Sequence, residues 1–360
     1  MIPHFEHAPR ESLERLHPGY FALVMATGAL ALGARLERLS WIPDVLFWLN
    51  ALFLAVLMTL FTLRAIRAPG ALRADLQDHA RGVGFFTVPA AFGVFGVELV
   101  LQRHALHLAT VWLFITGILW ALAMYGILAA LTVKRPKPNI QHGLNGSWLV
   151  SVVATQAVAV LTVFVLSAGG LPQWRAHMMF LAMTFWLGGG AIYLWLMALI
   201  FFRYTFVEMS PEDLSPPYWI NMGAVAISTL AGTMLIEFAA ISPALSGLLP
   251  FIKGMTLLYW SIGSWWIPML LVLGVWRYLI RGVAFRYDPL YWGGVFPIGM
   301  YAVCTYRLTQ VLPVPFLLPL SRVALYIALL AWLATFAGLL DSLRGRSPTN
   351  LARRVQIVRE

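Results

Sequence analysis

The chain alternates long apolar runs with short polar stretches, and ten runs stand out: 18–36, 44–66, 83–102, 107–131, 147–167, 176–202, 217–239, 251–279, 290–311 and 321–343. A helix rising about 1.5 Å per residue needs about 20 apolar residues to cross roughly 30 Å of hydrocarbon. The pattern therefore predicts ten transmembrane helices, with no connecting loop long enough to fold as a domain. Residues 1–17 and 344–360 are expected to be short tails flanking a transmembrane domain over 18–343.

The odd-numbered runs open at 18, 83, 147, 217 and 290, at intervals of 65, 64, 70 and 73 residues. One interval is one helical hairpin. Several openings also share Pro or Gly followed by aromatics: Pro18, Gly19, Tyr20, Phe21; Pro217, Tyr218, Trp219; and Pro289, Leu290, Tyr291, Trp292. Repeats at a fixed spacing predict pseudosymmetric packing, although interfacial aromatics are common on any membrane helix. Small residues allow close helix approach, and in 19-residue windows Gly, Ala, Ser and Thr number nine in the first run against four in the second, and eight in the seventh against five in the eighth. The remaining pairs do not separate. The expectation is an inner ring of odd helices.

Composition agrees with a membrane protein. The 360 residues are 60% hydrophobic and only 11% charged, where soluble proteins carry about 25% charge. A formal charge of +10 would suggest nucleic-acid binding if the basic residues were clustered, but they fall between the apolar runs. With the N-terminus in the cytoplasm, 18 Lys and Arg lie inside and 6 outside, with Arg307 in the ninth run. This asymmetry follows the positive-inside rule and predicts two cytoplasmic termini and no nucleic-acid partner.

Chemistry-bearing residues are sparse. One cysteine, Cys304, excludes internal disulfides and Cys-rich metal sites. The eight histidines (His4, His7, His17, His79, His104, His107, His142 and His177) fall in tails, loops or span ends, so no transmembrane haem site is expected. His104 and His107 have ligand-like spacing without a matching third ligand. No catalytic residue, metal or cofactor is assigned.

Ionisable residues within spans are functional candidates. Glu98, Glu237 and Arg307 come late in the third, seventh and ninth runs and Lys253 opens the eighth, all toward the outer face. Snorkelling to the interface accounts for such positions, but Arg307 would also meet an anion leaving the outer mouth. Mid-depth polarity is confined to neutral groups: Thr27, Thr87, Thr155, Gln156, Asn221, Ser228 and Thr305. That favours a neutral conduit. The N-termini of five odd helices, with the basic side chains around them, would concentrate anions at the inner mouth. Prolines interrupt three spans, at Pro89, Pro268 and Pro297. The Phe296–Pro297 pair places a large ring beside a helix kink, the arrangement that aims an apolar plug at an axial opening and gates by dewetting.

The opening Pro18–Gly28 (PGYFALVMATG), the run Trp292, Gly293, Gly294, Val295, Phe296, Pro297 and the ten-span layout together resemble the tellurite-resistance and dicarboxylate transporter family. This family includes slow-type plant anion channels, malate permeases and sulfite exporters. The resemblance implies an all-α membrane fold of five hairpins around a pseudo-fivefold pore, an inner ring of odd helices, a phenylalanine plug at Phe296, a small pore-facing residue at Ala22 and a homotrimer. Val24, where some members carry proline, and Ser151, Val152 and Val153, where a proline kink is expected, depart from the pattern.

The resulting expectation is an anion channel or facilitator of a prokaryotic inner membrane, passing chloride, sulfite or C4-dicarboxylates, with membrane lipid around it. Its gate is Phe296 with Pro297, its lining Ala22, Ala90, Thr155 and Ser228, and its outer anion contact Arg307. The alternative is a proton- or ion-coupled dicarboxylate carrier. A membrane enzyme or sensor is disfavoured by the peripheral histidines.

Overall fold

The computed structural model describes residues 13–211 and 213–344. The tails expected at either end therefore lie almost wholly outside the described residues. Among the described residues ten long helices follow one another: α1 Ala22–Leu36, α2 Ile42–Arg67, α3 Thr87–Leu101, α4 Leu106–Val133, α5 Val150–Ser167, α6 Arg175–Phe206, α7 Ile220–Glu237, α8 Leu249–Val275, α9 Trp292–Val311 and α10 Leu318–Leu343. Among the described residues nine are long and apolar enough to cross a bilayer, counting the turns that flank them. The tenth, α9, is diluted by Gly293, Gly294, Tyr301, Arg307 and Gln310.

Intrinsic propensity does not explain these helices. α5 is rich in Val and Thr, residues that lose side-chain freedom in a helix. It is helical because a backbone out of reach of water must satisfy its hydrogen bonds within itself.

Each odd helix is introduced by a 3-10 turn: Pro18–Phe21, Gly82–Phe86, Gly146–Leu149, Pro216–Trp219 and Pro289–Tyr291. The repeated Pro, Gly and aromatic texture of the sequence is this turn. Three of the turns are capped alike, the side chain of the preceding residue accepting from the backbone N–H two positions on. The pairs are His17 Nδ1 with Gly19 at 2.9 Å, Asn145 Oδ1 with Ser147 at 2.8 Å and Asp288 Oδ1 with Leu290 at 2.7 Å. The five turns touch in cyclic order and close a ring at one end of the molecule. Gly146 is required there, since a Cβ would fall 2.5 Å from the carbonyl oxygen of Pro217.

The same cyclic order runs through the helices. α1 packs against α3 and α9, α5 against α3 and α7, and α7 against α9. Most even helices lean on the outside of this ring in the groove between two inner ones. Burial follows: the odd spans are 83–100% buried where the criterion for a span is met, and the even ones 22–33%. The inner ring of odd helices expected from small-residue content is therefore the arrangement found.

Candidate functional site: the axis of the inner ring

All five inner helices meet at a small cavity lined by Leu32 of α1, Gly93, Val94 and Val97 of α3, Ala157 and Val160 of α5, Ile227 and Leu230 of α7, and Met300 of α9. Its volume of about 10 Å³ is at the lower limit for holding one water. The lining contains no hydroxyl, amide or charged side chain. Phe296 stands one turn before Met300 and hence on the same face of α9. Ala90 stands two turns before Val97 on the corresponding face of α3. Both are buried, Phe296 to 1% exposure.

Pro297 fixes how α9 is turned. A Cβ on Gly223 of α7 would lie 2.6 Å from Pro297 Cγ and 3.2 Å from its Cα. The proline ring thus occupies a notch that only glycine leaves open, which sets the rotation of α9 and with it the direction of Phe296. Ala22, early in α1, is buried near the turn ring.

Thr155 and Ser228 correct the expectation that hydroxyls line the axis. Thr155 Oγ1 donates to the Ser151 carbonyl at 2.8 Å and accepts from Trp120 Nε1 of α4 at 2.9 Å, which places it on the outer side of α5. Ser228 shares a helix face with Val225 and Gly232, whose neighbours lie on α8, and its hydroxyl donates to Ala224 within its own helix. For Thr155 the physical reason is satisfaction: a hydroxyl in an apolar passage has no partner beyond its own helix, whereas the neighbouring helix offers the Trp120 indole.

These outward contacts form a repeated device that the sequence reading missed. Each outer helix donates to the inner helix that follows it in the ring. Trp120 donates to Thr155, Trp186 to the Ser228 carbonyl at 2.8 Å, Trp260 to Thr305 at 3.0 Å, and Trp332 to Thr27 at 2.9 Å. At the remaining position Asn50 Nδ2 of α2 donates to Glu98 Oε2 of α3 at 2.5 Å. Glu98 is fully buried, so the snorkelling expected of it does not occur, and among the described residues Glu98 Oε1 and Asn50 Oδ1 have no hydrogen-bond partner. Regular Trp placement on even spans was the available signal; the pairing across helices was not visible in one dimension.

Arg307 is also otherwise engaged than expected. Its guanidinium bonds Glu237 at the end of α7, and one of its nitrogens lies 3.0 Å from Met234 Sδ. Two further pairs sit at the same end of the molecule, Arg103 with Asp44 and Arg322 with Glu37, each at 2.8 Å. At the turn-ring end, buried Arg64 and half-buried Arg81 share Asp75 at 2.7 and 2.6 Å. Burial opposes ionisation of Asp75, but the two arginines outweigh it and hold the carboxyl below its usual range. Burial, aided by Arg81 and Arg64, depresses the His17 imidazole to about 4. It is neutral at pH 7 and able to accept from Gly19.

A closed ring of five buried helices inside a coat of exposed apolar helices is the architecture of an integral membrane protein. Residues 15–340 match the family model described as SLAC1, voltage-dependent anion channel, and the chain belongs to that family. It is 36% identical over 148 residues to an uncharacterized membrane protein of Mycobacterium tuberculosis, covering 41% of this chain and 74% of that protein. Two uncharacterized transporters of Methanocaldococcus jannaschii are similar over most of their length: one is 24% identical over 83% of this chain and 86% of its own, the other 25% identical over 82% and 84%.

Proposed function

We propose that the protein conducts small anions through the axis of the inner ring and that Phe296 is the gate. The observation that carries this reading is the contrast between a hydroxyl-free axial face and Phe296 on that face, one turn from the cavity lining. An anion entering such a passage sheds water with no compensating charge, so a closed ring at Phe296 stops it at little structural cost. The basic end of the molecule gathers anions at one mouth and the N-termini of the inner helices face them there. Within this reading the basic end is cytoplasmic, the membrane is a prokaryotic inner membrane, and the assembly is a homotrimer whose subunits each keep their own passage. Chloride, sulfite and C4-dicarboxylates are the substrates to test, since a neutral lining sorts anions by size and dehydration. The test is anion flux in proteoliposomes containing the purified full chain. Phe296→Ala should raise chloride flux severalfold while Phe296→Leu stays near the parent; no increase in a folded Phe296→Ala protein would sink the gate.

One observation favours a second reading, proton-coupled carriage: Glu98 is a fully buried carboxyl whose Oε1 has no partner. In that case an imposed pH gradient drives malate uptake, and Glu98→Gln abolishes the drive while leaving exchange intact.

A further inference from the structure

A second, much larger cavity lies on the flank of the ring, outside the passage. α8 packs along α7 but meets α9 chiefly at its outer half, where Trp260 bonds Thr305 and Ser264 lies 2.7 Å from the Tyr301 hydroxyl. Beyond Ser264, Pro268 removes a helical hydrogen bond and the π turn Trp276–Ile280 widens the helix end. Between α8 and α10 this leaves a cleft of about 660 Å³, within the roughly 300–1,000 Å³ of small-molecule sites. Its floor is the face of α9 bearing Gly294 and Ile298, on the far side of that helix from Phe296.

The cleft is amphipathic along its length. Its depth is apolar, walled by Leu270 and Leu273 of α8 and Ala331 and Ala334 of α10. Its rim, at the basic end, carries Arg277 and Arg286 together with the hydroxyls of Tyr278 and Tyr291, which lie 2.9 Å apart, and the carboxylate of Asp341. We propose that this cleft binds one anionic phospholipid, with its phosphate at Arg277 and Arg286 and an acyl chain between α8 and α10. Basic recesses between membrane helices recognise such headgroups, and long chains fill grooves too apolar for a soluble anion. Asp341 on the same rim selects a headgroup that offers hydroxyl donors beside its phosphate, as phosphatidylglycerol does. The proposal does not depend on what passes along the axis.

Two variants test it. Arg286 is exposed and Arg286→Gln leaves the fold's contacts alone, whereas Arg277 also bonds the Leu214 carbonyl and is left in place. Gly274 faces open space, with no heavy atom within 4 Å of an added Cβ, so Gly274→Trp fills the cleft without displacing backbone. Purified full-length protein in detergent is given phosphatidylglycerol, phosphatidylcholine, phosphatidylethanolamine or inorganic phosphate, and bound lipid is read by native mass spectrometry alongside the thermal midpoint. Phosphatidylglycerol alone should remain bound and raise the midpoint, and each variant should weaken its retention by roughly tenfold. Equal retention of phosphatidylcholine or phosphatidylethanolamine, an equal shift from inorganic phosphate, or parent-like retention in both variants would overturn the proposal. So would a Gly274→Trp protein that keeps its phosphatidylglycerol but falls to a smaller oligomer, because the cleft would then belong to a second copy.

Discussion

The two faces of the inner helices differ in where they carry polarity. Toward the axis the ring shows Leu32, Val97, Val160, Leu230 and Met300, with a void of about 10 Å³ between them. Toward the outer helices the same ring shows Thr27, Thr155 and Thr305, each accepting an indole N–H. Polarity in these spans is therefore a fastening, and the passage is left without it. A lining with no fixed polar partners offers an ion no tight site, in keeping with the conduit proposed above.

The contrast has graded consequences. The largest effect is expected where helix approach sets the orientation of the axial face. Gly223→Leu drives a side chain into Pro297, where a Cβ alone would already come within 2.6 Å of Cγ. The cost of such overpacking is about 1–3 kcal/mol or more. Yield of monodisperse protein should drop sharply, and a variant that purifies and melts like the parent would show that the notch does not hold α9.

A smaller effect is expected on the outward face. Thr27→Val keeps the volume but leaves the Trp332 indole without its acceptor, at about 1–3 kcal/mol for a buried donor. The thermal midpoint should fall while the anion flux of the variant that survives matches the parent. A changed flux with an unchanged midpoint would reverse the roles assigned to the two faces.

The smallest effect concerns the turn ring. The folded state holds His17 neutral to about 4, whereas the unfolded imidazole protonates near its ordinary value of about 6.5. The unfolded chain therefore binds the extra proton first, and the contribution to stability present above about pH 6.5 is lost as pH falls toward 4. The midpoint should decline over that window. His17→Asn, which keeps an acceptor for the Gly19 N–H, should flatten the decline; an equally steep decline would remove His17 as its source.

Much of this architecture was legible in one dimension, and the reasons are specific. The hairpin interval and the Pro, Gly and aromatic openings were readable because each marks a turn with its own backbone demands, and all five became 3-10 turns. The inner position of the odd helices showed through small residues in only two of the five pairs, the first with the second and the seventh with the eighth. Which face of an inner helix points to the axis did not show, because α5 is buried through nearly its whole length and its apolar residues form no single stripe. Periodicity carries no direction in such a helix. The hairpin period and the family resemblance put Thr155 and Ser228 on the axis, but the partner of Thr155, Trp120, sits 35 residues away on another helix. Glu98 failed for the same reason, its Asn50 lying 48 residues earlier. The expectation for Arg307 was an outer-mouth anion contact, and its pairing with Glu237 across 70 residues was not visible in one dimension.

The central claim, that ions pass along the hydroxyl-free face once Phe296 is removed, is tested most directly by cysteine accessibility. In a Cys304→Ser background, cysteine replaces either Val97 on the axial face or Thr155 on the outward face, each with Phe296 and with Phe296→Ala. A small anionic thiosulfonate is then applied to membranes. Val97→Cys should react only when Phe296 is absent, and Thr155→Cys in neither case. Reaction of Thr155→Cys while Val97→Cys stays untouched would place the water path between the rings and contradict the account.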